Sequence, residues 1–204
     1  SRQAVKLPLL LHYTSMWENR SIRNGKGGTL WLVNRNRLLK QFPGTDGLKT
    51  GYTPQAGFCL ADTAKQSGMR LIAVVLGAPS SSARFQDAQA LMTWGFNNFR
   101  TVSAVQPHQA FGTVAVRGGS RRQIVAVADR ARFITVPVDK QNAVRRTVQL
   151  DDSVNAPIKA GQVIGHVIVK VGEQTILQIP LVAQHSIEKV GILQRSWQYF
   201  WQMV

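Results

Sequence analysis

The stretch Gly44-Thr-Asp-Gly-Leu-Lys-Thr-Gly-Tyr-Thr53 decides the fold of the sequence around it. Within it, Lys49 places an ammonium group beside the Thr50 hydroxyl, and Gly51 has no side chain that would keep a ligand away. A short strand of this kind can line the edge of a cleft, where its charge holds a carboxylate and its backbone pairs with an extended peptide. The stretch therefore predicts an edge strand that binds a ligand.

Further strand patterns follow this stretch. Residues 47–53, 57–64 and 69–77 predict three strands of an antiparallel sheet. Residues 70–76 are almost continuously apolar, which favours a central strand buried on both faces. Upstream, Asn24-Gly25 is a hairpin signal between 21–23 and 29–33. The sequence therefore predicts a hairpin followed by a small sheet.

A helix is predicted directly after the sheet. Ser80-Ser81-Ser82 is a helix-start cluster, and the helix should extend for about 15 residues. Its predicted apolar face consists of Ala88, Leu91, Met92, Gly95, Phe96 and Phe99. We expect this face to pack on the sheet.

The residue pattern of the chain changes near Val105-Gln106-Pro107. Short segments rich in valine and isoleucine follow, separated by turn residues, which is typical of a small β-sandwich. The predicted strands are 110–117, 123–128, 132–138, 143–150, 162–170 and 174–182.

The tail, residues 186–204, has a helical pattern. One face would carry Val190, Leu193, Trp197, Phe200, Trp201 and Val204. The three aromatic residues of this face lie within five positions, which favours a helix that lies in a membrane interface. The alternative is a terminal helix folded onto its own domain.

Charge and composition limit the partners. The 204 residues carry 25 basic and 10 acidic side chains, a net charge of +15, and 44% of them are hydrophobic. Such a chain can build a core and favours anionic surroundings, although basicity can also be a general trait of the source protein. The arginine clusters show no RNA- or DNA-binding signature, so no nucleic-acid partner is predicted.

No cofactor or metal is predicted. Cys59 is the single cysteine and lies in an apolar run, so it is expected to be a small buried hydrophobic residue. The four histidines are scattered without metal-ligand spacing. The sequence contains no signal peptide and no run of about 20 apolar residues, which taken alone would indicate a cytosolic protein.

The order of several motifs resembles one family. Segments 34–39, 56–61, 69–77 and 91–96, arranged around Lys-Thr-Gly, resemble the C-terminal part of the serine-type D-alanyl-D-alanine carboxypeptidases, the low-molecular-weight penicillin-binding proteins of peptidase family S11. The resemblance implies an α+β fold. An antiparallel sheet with a packed helix, the C-terminal part of a penicillin-binding/β-lactamase-like transpeptidase domain, would be followed by an all-β sandwich domain and an amphipathic helix.

The resemblance also implies domain boundaries. Residues 1–103 would carry Lys-Thr-Gly, residues 104–185 would form the sandwich, and residues 186–204 the tail helix.

The family uses three motifs around one cleft, namely Ser-x-x-Lys, Ser-x-Asn and Lys-Thr-Gly. Only the third stands here in the family's order. Ser186-Ile-Glu-Lys189 and Ser153-Val-Asn155 match the other two as text, but both follow Lys-Thr-Gly, whereas the family places them before it. We reject both matches, so the chain carries no catalytic nucleophile of this type and is expected to be inactive alone.

The resemblance assigns substrate-binding roles to Lys49, Thr50, Gly51, Tyr52 and Arg84. Lys49 and Thr50 would bind the terminal carboxylate of the substrate, and the backbone N–H of Tyr52 would donate to the oxyanion. The role of the Tyr52 side chain is open. Arg84 would contact the same carboxylate, or would instead be a surface residue paired with Asp87 one turn later.

The implied activity is removal of the terminal D-Ala from peptidoglycan stem peptides through an acyl-enzyme, with acylation by β-lactams in the complete enzyme. Such enzymes are exported, and the expected location is the cell envelope, peripheral to the cytoplasmic membrane through the tail helix. The alternative function is a non-catalytic module that binds the cell wall or a membrane surface.

Overall fold

A computed structural model describes residues 1–23, 25 and 27–190. They fall into two compact units, one spanning Ser1–Arg100 and the other beginning at Thr101. No helix in the described ranges is long and apolar enough to cross a membrane.

The first unit contains a hairpin, a three-stranded sheet and three α-helices. Its elements are α1 (Pro8–Ser15), β1 (Glu18–Arg23), β2 (Thr29–Val33), α2 (Leu38–Gln41), β3 (Thr45–Thr53), β4 (Gly57–Gln66), β5 (Met69–Ala78) and α3 (Ser81–Asn98), after a 3-10 turn at Ala4–Lys6. β1 and β2 are antiparallel, as the hairpin signal predicted. The strands of the sheet are also antiparallel, in the order β3-β4-β5. This confirms that the Lys-Thr-Gly strand, β3, lies at a sheet edge.

One face of the sheet is covered by α3. The side chain of Ser80 caps this helix by accepting a hydrogen bond from the Ala83 N–H over 3.0 Å. Ala88, Met92 and Gly95 are buried against the sheet core, as the spacing predicted. Leu91 is 51% exposed, so its predicted place on the buried face is wrong. The helix spans 18 residues rather than about 15.

The prediction of a central strand at residues 70–76 is also wrong. β5 pairs with β4 on one side, and within the described residues it has no partner strand on the other. Val74 and Leu76 are 52% and 75% exposed. The reason is that α3 covers one face of β5 only, and residues 73 and 75, which point to that face, form part of the core.

The second unit is built almost entirely from strands. They are β6 (Phe99–Val105), β7 (Ala110–Arg117), β8 (Gln123–Ala128), β9 (Arg132–Pro137), β10 (Val144–Leu150), β11 (Ser153–Asn155), β12 (Val163–Val171) and β13 (Gln174–Ala183). A six-stranded sheet has the order β10-β12-β13-β8-β7-β11, and β6 pairs with β9. Both sheets contribute to one core of valine, isoleucine, leucine and alanine side chains.

Two strands of this unit were not predicted from the sequence. β6 directly follows α3 and overlaps the end of the predicted helical pattern at Phe99. β11 has only three residues and pairs in parallel with β7. Ser153 and Asn155 therefore belong to a strand of the β unit, in agreement with our rejection of that Ser-x-Asn match.

The predicted tail helix is wrong at its start. Ile187 forms a bridge with Ile158, with both N–H···O distances at 2.9 Å, and its side chain is 2% exposed. Residues 186–190 are therefore extended, because Ile187 fills the core of the second unit. The remainder of the predicted helix, residues 191–204, lies outside the described residues.

Candidate active site

A cleft of about 1020 Å³ lies along β3 in the first unit. Its lining is basic and aromatic, and it contains no acidic side chain. The lining residues are Trp17, Val33, Asn34, Arg35, Arg37, Lys49, Thr50, Gly51, Tyr52, Phe58, Ser81 and Arg84. All five residues assigned by the family resemblance lie in this set.

The Lys-Thr-Gly strand presents its polar groups to the cleft. Lys49 is exposed, and its Nζ donates a hydrogen bond to the Thr50 carbonyl oxygen. Gly51 is opposite Cys59 in the ladder and is also exposed. The ring of Tyr52 lies 4.3 Å from that of Phe58, centroid to centroid, and forms one wall. The strand thus offers an ammonium, a hydroxyl and backbone groups along one edge.

The guanidinium of Arg84 donates hydrogen bonds to the backbone of this strand and its neighbour. Its Nη1 donates to the Gly51 carbonyl oxygen over 3.0 Å and to the Cys59 carbonyl oxygen over 3.4 Å, and its Nη2 donates to Ser81 Oγ over 3.3 Å. The side chain is 7% exposed, with the guanidinium 5.5 Å from the Phe58 ring and 4.8 Å from the Phe85 ring. Burial lowers the pKa of Arg84, and the nearby positive charge of Arg37 adds to this effect.

The geometry rules out one of the two alternatives for Arg84. A buried guanidinium that bonds two carbonyl groups is not a surface residue, and no ion pair joins it to Asp87 among the described side chains. The helix places Arg84 on its buried face, whereas Asp87 is exposed.

A buried polar pair supports the strand near its start. Asn36 donates from Nδ2 to Asp62 Oδ1 over 2.7 Å and to the Gly47 carbonyl oxygen over 3.2 Å. The exposed fractions of Asn36 and Asp62 are 1% and 0%. Burial raises the pKa of the Asp62 carboxyl from 3.8 to about 7, and the negative charge of Asp46 acts in the same direction, against the hydrogen bond from Asn36.

An ion pair fixes the same end of β3. Both terminal nitrogens of Arg70 bond the two carboxylate oxygens of Asp46 at 2.7 Å. Arg70 Nη1 also donates to Thr63 Oγ1 over 2.9 Å. This bidentate pair ties β3 to β5 across the intervening strand β4.

Sequence reasoning missed two parts of the site. Arg35 and Arg37 were noted only within a family-like segment, and the structure places both in the cleft lining. The pair of Asn36 and Asp62 was not predicted at all. The available signal for this pair in the sequence was one acidic residue, Asp62, inside the apolar run of β4.

No set of three or more potential ligand side chains that could hold a metal ion occurs in the described part of the chain. The cleft's donors are instead suited to anions. Ammonium, guanidinium, hydroxyl and backbone N–H groups all donate hydrogen bonds to carboxylates and oxyanions.

Two family models match the chain. Residues 2–80 match the D-alanyl-D-alanine carboxypeptidase model of peptidase family S11, and residues 99–189 match the model of the penicillin-binding protein 5 C-terminal domain. The unmatched residues between the two matches, 81–98, are those of α3.

Curated relatives agree with these matches. The D-alanyl-D-alanine carboxypeptidase DacC of Escherichia coli is 36% identical over 168 residues, which are 81% of this chain and 42% of the relative. DacF of Bacillus subtilis, which carries the same description, is 29% identical over 95% of this chain and 50% of its own length. The chain thus spans about half the length of the curated relatives it matches.

Solved structures resemble the chain in the same way. Penicillin-binding protein 5 from Haemophilus influenzae superposes with a TM-score of 0.75 and 31% identity, covering 91% of this chain and 53% of that one. A structure from Streptococcus pneumoniae, described as the peptidoglycan synthesis regulatory factor PBP3, gives a TM-score of 0.67 and 27% identity, with 92% and 54% coverage. With an edge-strand Lys-Thr-Gly cleft in its first unit and a β unit like that of penicillin-binding protein 5 in its second, this chain matches part of a serine-type D-alanyl-D-alanine carboxypeptidase of the S11 family.

Proposed function

We propose that the cleft is the carboxylate- and oxyanion-binding side of an active site that removes the terminal D-Ala from peptidoglycan stem peptides. The observation that carries this proposal is the position of residues 49–52 along the exposed edge of β3, with their backbone fixed by Arg84 at Gly51. The descriptions of the relatives, D-alanyl-D-alanine carboxypeptidases, support the same chemistry.

The proposed reaction begins with binding of the peptide's C-terminal carboxylate. The Lys49 ammonium holds it electrostatically, and the Thr50 hydroxyl donates a hydrogen bond to it. The peptide lies antiparallel or parallel to the open edge of β3, where backbone groups can pair with it. This fixes the carbonyl of the penultimate D-Ala against the cleft.

The nucleophile in this proposal is a serine outside these 204 residues, within a Ser-x-x-Lys motif. Its oxygen attacks the penultimate carbonyl, and the N–H of Tyr52 donates to the developing oxyanion together with the N–H of the nucleophile. The peptide C–N bond then breaks, the proton released by the serine hydroxyl passes to the leaving nitrogen, and the terminal D-Ala leaves as a free amino acid. Water then hydrolyses the ester. A β-lactam would acylate the same serine when its ring amide opens.

We also propose roles for the two units and the tail in a protein of the cell envelope. Residues 1–103 would be the peptidase part, residues 104–185 a spacer domain, and the segment after Val190 an amphipathic membrane anchor. The apolar and aromatic spacing over 191–204 supports the anchor. Anionic vesicles should therefore sediment the 204-residue chain and leave a version ending at Val190 in solution. Equal sedimentation of both would contradict the anchor.

A chimera tests the proposed activity. This chain replaces the matching segment of E. coli DacC, so that the relative supplies the upstream half with its own nucleophile. We expect the chimera to release D-Ala from an acetylated peptide ending in D-Ala-D-Ala and to form a covalent adduct with penicillin. Lys49→Ala should remove more than about 99% of kcat/KM, because the carboxylate loses its only point charge on the strand.

Lys65→Ala is the matched control, because Lys65 is an exposed lysine on β4 outside the cleft lining. It should leave kcat/KM unchanged. A folded chimera that binds penicillin covalently but does not depend on Lys49 would contradict the proposed role of the strand. A folded chimera with neither activity would contradict the proposed function.

A further inference from the structure

One end of the second unit carries an excess of exposed positive charge. Three segments meet there, namely the β7–β8 turn with the residue before it (117–122), the segment before β12 (156–162) and the segment after β13 (184–190). Their charged side chains, all of them exposed, are five cations and one acid: Arg117, Arg121, Arg122, Lys159, Lys189 and Glu188. None of the six has an ion-pair partner among the described residues. We call these three segments the tail-side surface, because the chain continues from them into residues 191–204.

Backbone hydrogen bonds join the three segments into one surface. The Ser120 N–H donates to the Glu188 carbonyl oxygen over 2.9 Å. The Val190 N–H donates to the Gly118 carbonyl oxygen, also over 2.9 Å. The bridge of Ile187, described above, ties in the segment before β12. The cations therefore stand on a fixed backbone rather than on separate loops.

The opposite end of the same unit does not share this charge. Because β7, β8, β12 and β13 are antiparallel neighbours, the residues farthest from the β7–β8 turn are 106–109, 129–131, 138–143 and 171–174. Their charged side chains are three acids and two bases: Asp129, Asp139, Glu173, Arg130 and Lys140. The basicity of the chain is thus concentrated at one end of this unit.

The proposed membrane anchor starts at the basic end. The hydrogen bond between Val190 and Gly118 places the last described residue directly on the β7–β8 turn. Residues 191–204 carry the apolar and aromatic spacing from which the anchor is proposed. A tail that lies in a bilayer interface would bring this turn to within about one Debye length of the headgroups, which is ~10 Å at about 0.1 M salt.

The number of cations is large enough to matter at an anionic bilayer. One lysine or arginine near such a surface strengthens binding by a factor of about five. Five of them together would give a Kd no lower than about 0.3 mM. The surface alone would therefore not keep a chain ending at Val190 on vesicles. Added to an interfacial helix, the same charges multiply the affinity of that helix.

We infer that the tail-side surface binds the anionic headgroups of a lipid bilayer, so that this end of the β unit lies against the membrane. The inference rests on the proposed anchor and adds a second contact made by the folded unit itself. A bilayer is a flat and extended partner, so an exposed domain end can meet it without a groove. The guanidinium groups of Arg121 and Arg122 suit phosphate oxygens, which accept two hydrogen bonds from one planar fork.

The test measures binding of the 204-residue chain to two kinds of vesicle at about 0.1 M NaCl. One kind is phosphatidylcholine alone, and the other contains about 30% phosphatidylglycerol, which is anionic. Replacing both Arg121→Gln and Arg122→Gln should lower the affinity for the anionic vesicles about 10- to 25-fold. The same double variant should bind the neutral vesicles as the unmodified chain does, because the apolar face of the tail is intact.

Arg130→Gln combined with Lys140→Gln is the matched control. It removes the same two charges from exposed positions at the opposite end of the unit. This control should keep the affinity for anionic vesicles to within about twofold, because salt screens charges that lie far from the surface. Equal affinities of the two double variants for the anionic vesicles would overturn the inference.

Truncation at Val190 separates this inference from the proposed anchor. If truncation abolishes binding while the Arg121 and Arg122 variant binds like the unmodified chain, the anchor stands and the tail-side surface is overturned. If the full and truncated chains bind anionic vesicles equally, the anchor is contradicted, and the two double variants still decide the surface. Soluble dextran sulfate probes a polymer partner, and tighter binding to it than to the anionic vesicles would overturn the lipid assignment.

A paramagnetic lipid headgroup locates the contact directly. In anionic nanodiscs that contain a gadolinium-chelating lipid, amide signals of residues 157–160 should broaden more than those of residues 171–174, at the opposite end. The contrast should shrink in the Arg121→Gln and Arg122→Gln variant at saturating nanodiscs, because the tail alone does not orient the unit. A contrast of the same size in both proteins would overturn the inference.

Discussion

Asn36 and Asp62 form a hydrogen bond of 2.7 Å inside the first unit, with no exposed carboxylate surface on Asp62. Oδ2 of Asp62 has no hydrogen-bond partner among the described residues. A carboxyl group in this setting is stable when protonated and costs free energy when ionised. The same asparagine bonds Gly47, so the protonation of Asp62 is linked to the start of the Lys-Thr-Gly strand.

Stability should therefore fall as the pH rises. The folded-state pKa of Asp62 is about 7 against 3.8 for the free group, so folding takes up a proton between these values. The loss of folding free energy that the buried Asp62 carboxyl causes is absent below pH 3.8, grows up to about pH 7 and is complete above it. Three pKa units correspond to an upper limit of about 4 kcal/mol.

Asp62→Asn should remove this slope, because the amide stays neutral and can still accept from Asn36. Urea unfolding at pH 5 and pH 8 measures the effect, with Asp87→Asn as the control at an exposed position. If Asp62→Asn is no more stable than the unmodified chain at pH 8, Asp62 does not carry the charge penalty.

Asp46→Asn should show two effects at once. Loss of the bidentate pair with Arg70 should lower the free energy of unfolding by about 1–3 kcal/mol. Loss of the Asp46 charge should also lower the pKa of Asp62, since that charge helps to raise it. The pH midpoint of the stability curve should then move to lower pH, and an unmoved midpoint would show that the two carboxylates are not coupled.

Gly44→Ala should be strongly destabilising. Gly44 has a φ of +82°, and a Cβ atom there would stand 2.3 Å from the Lys65 carbonyl oxygen. Gly68 has a φ of +80° with no atom within 4 Å of such a Cβ, so Gly68→Ala isolates the cost of the backbone conformation. We expect about 1 kcal/mol for Gly68→Ala and at least about twice that for Gly44→Ala by thermal unfolding. Equal losses would mean that the backbone at Lys65 moves aside without cost.

Arg84→Lys should weaken the strand although the charge is kept. A lysine cannot bond the Gly51 and Cys59 carbonyl groups and the Ser81 hydroxyl with one planar group. We expect a loss of about 1–3 kcal/mol in the free energy of unfolding, and a lower kcat with little change in KM in the chimera. Arg100→Lys, at an exposed arginine, is the control. A change confined to KM would indicate that Arg84 contacts the substrate carboxylate directly.

Penicillin should not modify the isolated 204-residue chain. Its two serine motifs that match as text lie in β11 and at residues 186–189, both in the second unit and not in the cleft lining. Intact-mass spectrometry after incubation with benzylpenicillin should therefore show the unmodified mass. A stable adduct would reveal a nucleophile that the motif order does not predict.

Local patterns predicted most of the strands. The bounds of β7 and β8 coincide with the predicted segments, and the edge position of β3 followed from the exposed polar character of Lys-Thr-Gly. These features depend on neighbours within a few residues, through turn chemistry and alternation. The five assigned cleft residues followed from the family resemblance, which preserved their order.

Features that depend on distant packing were not predicted. The burial of Asp62 requires Asn36, 26 positions away, and periodicity within one strand carries no such information. The open face of β5 could not be predicted, since an apolar run does not specify which of its faces is covered. Ile187 fell within the predicted tail helix, residues 186–204, whereas its bridge to Ile158 fixes it in the β unit.

The two ends of the Lys-Thr-Gly strand depend on arginines that come later in the chain. The Asp46 carboxylate pairs with Arg70, and the Gly51 carbonyl oxygen accepts a hydrogen bond from Arg84. During synthesis the strand leaves the ribosome before either partner exists, so it cannot reach its final position until residue 84 has emerged. Premature termination between residues 53 and 84 would thus yield a nascent product with the complete motif sequence and no assembled cleft.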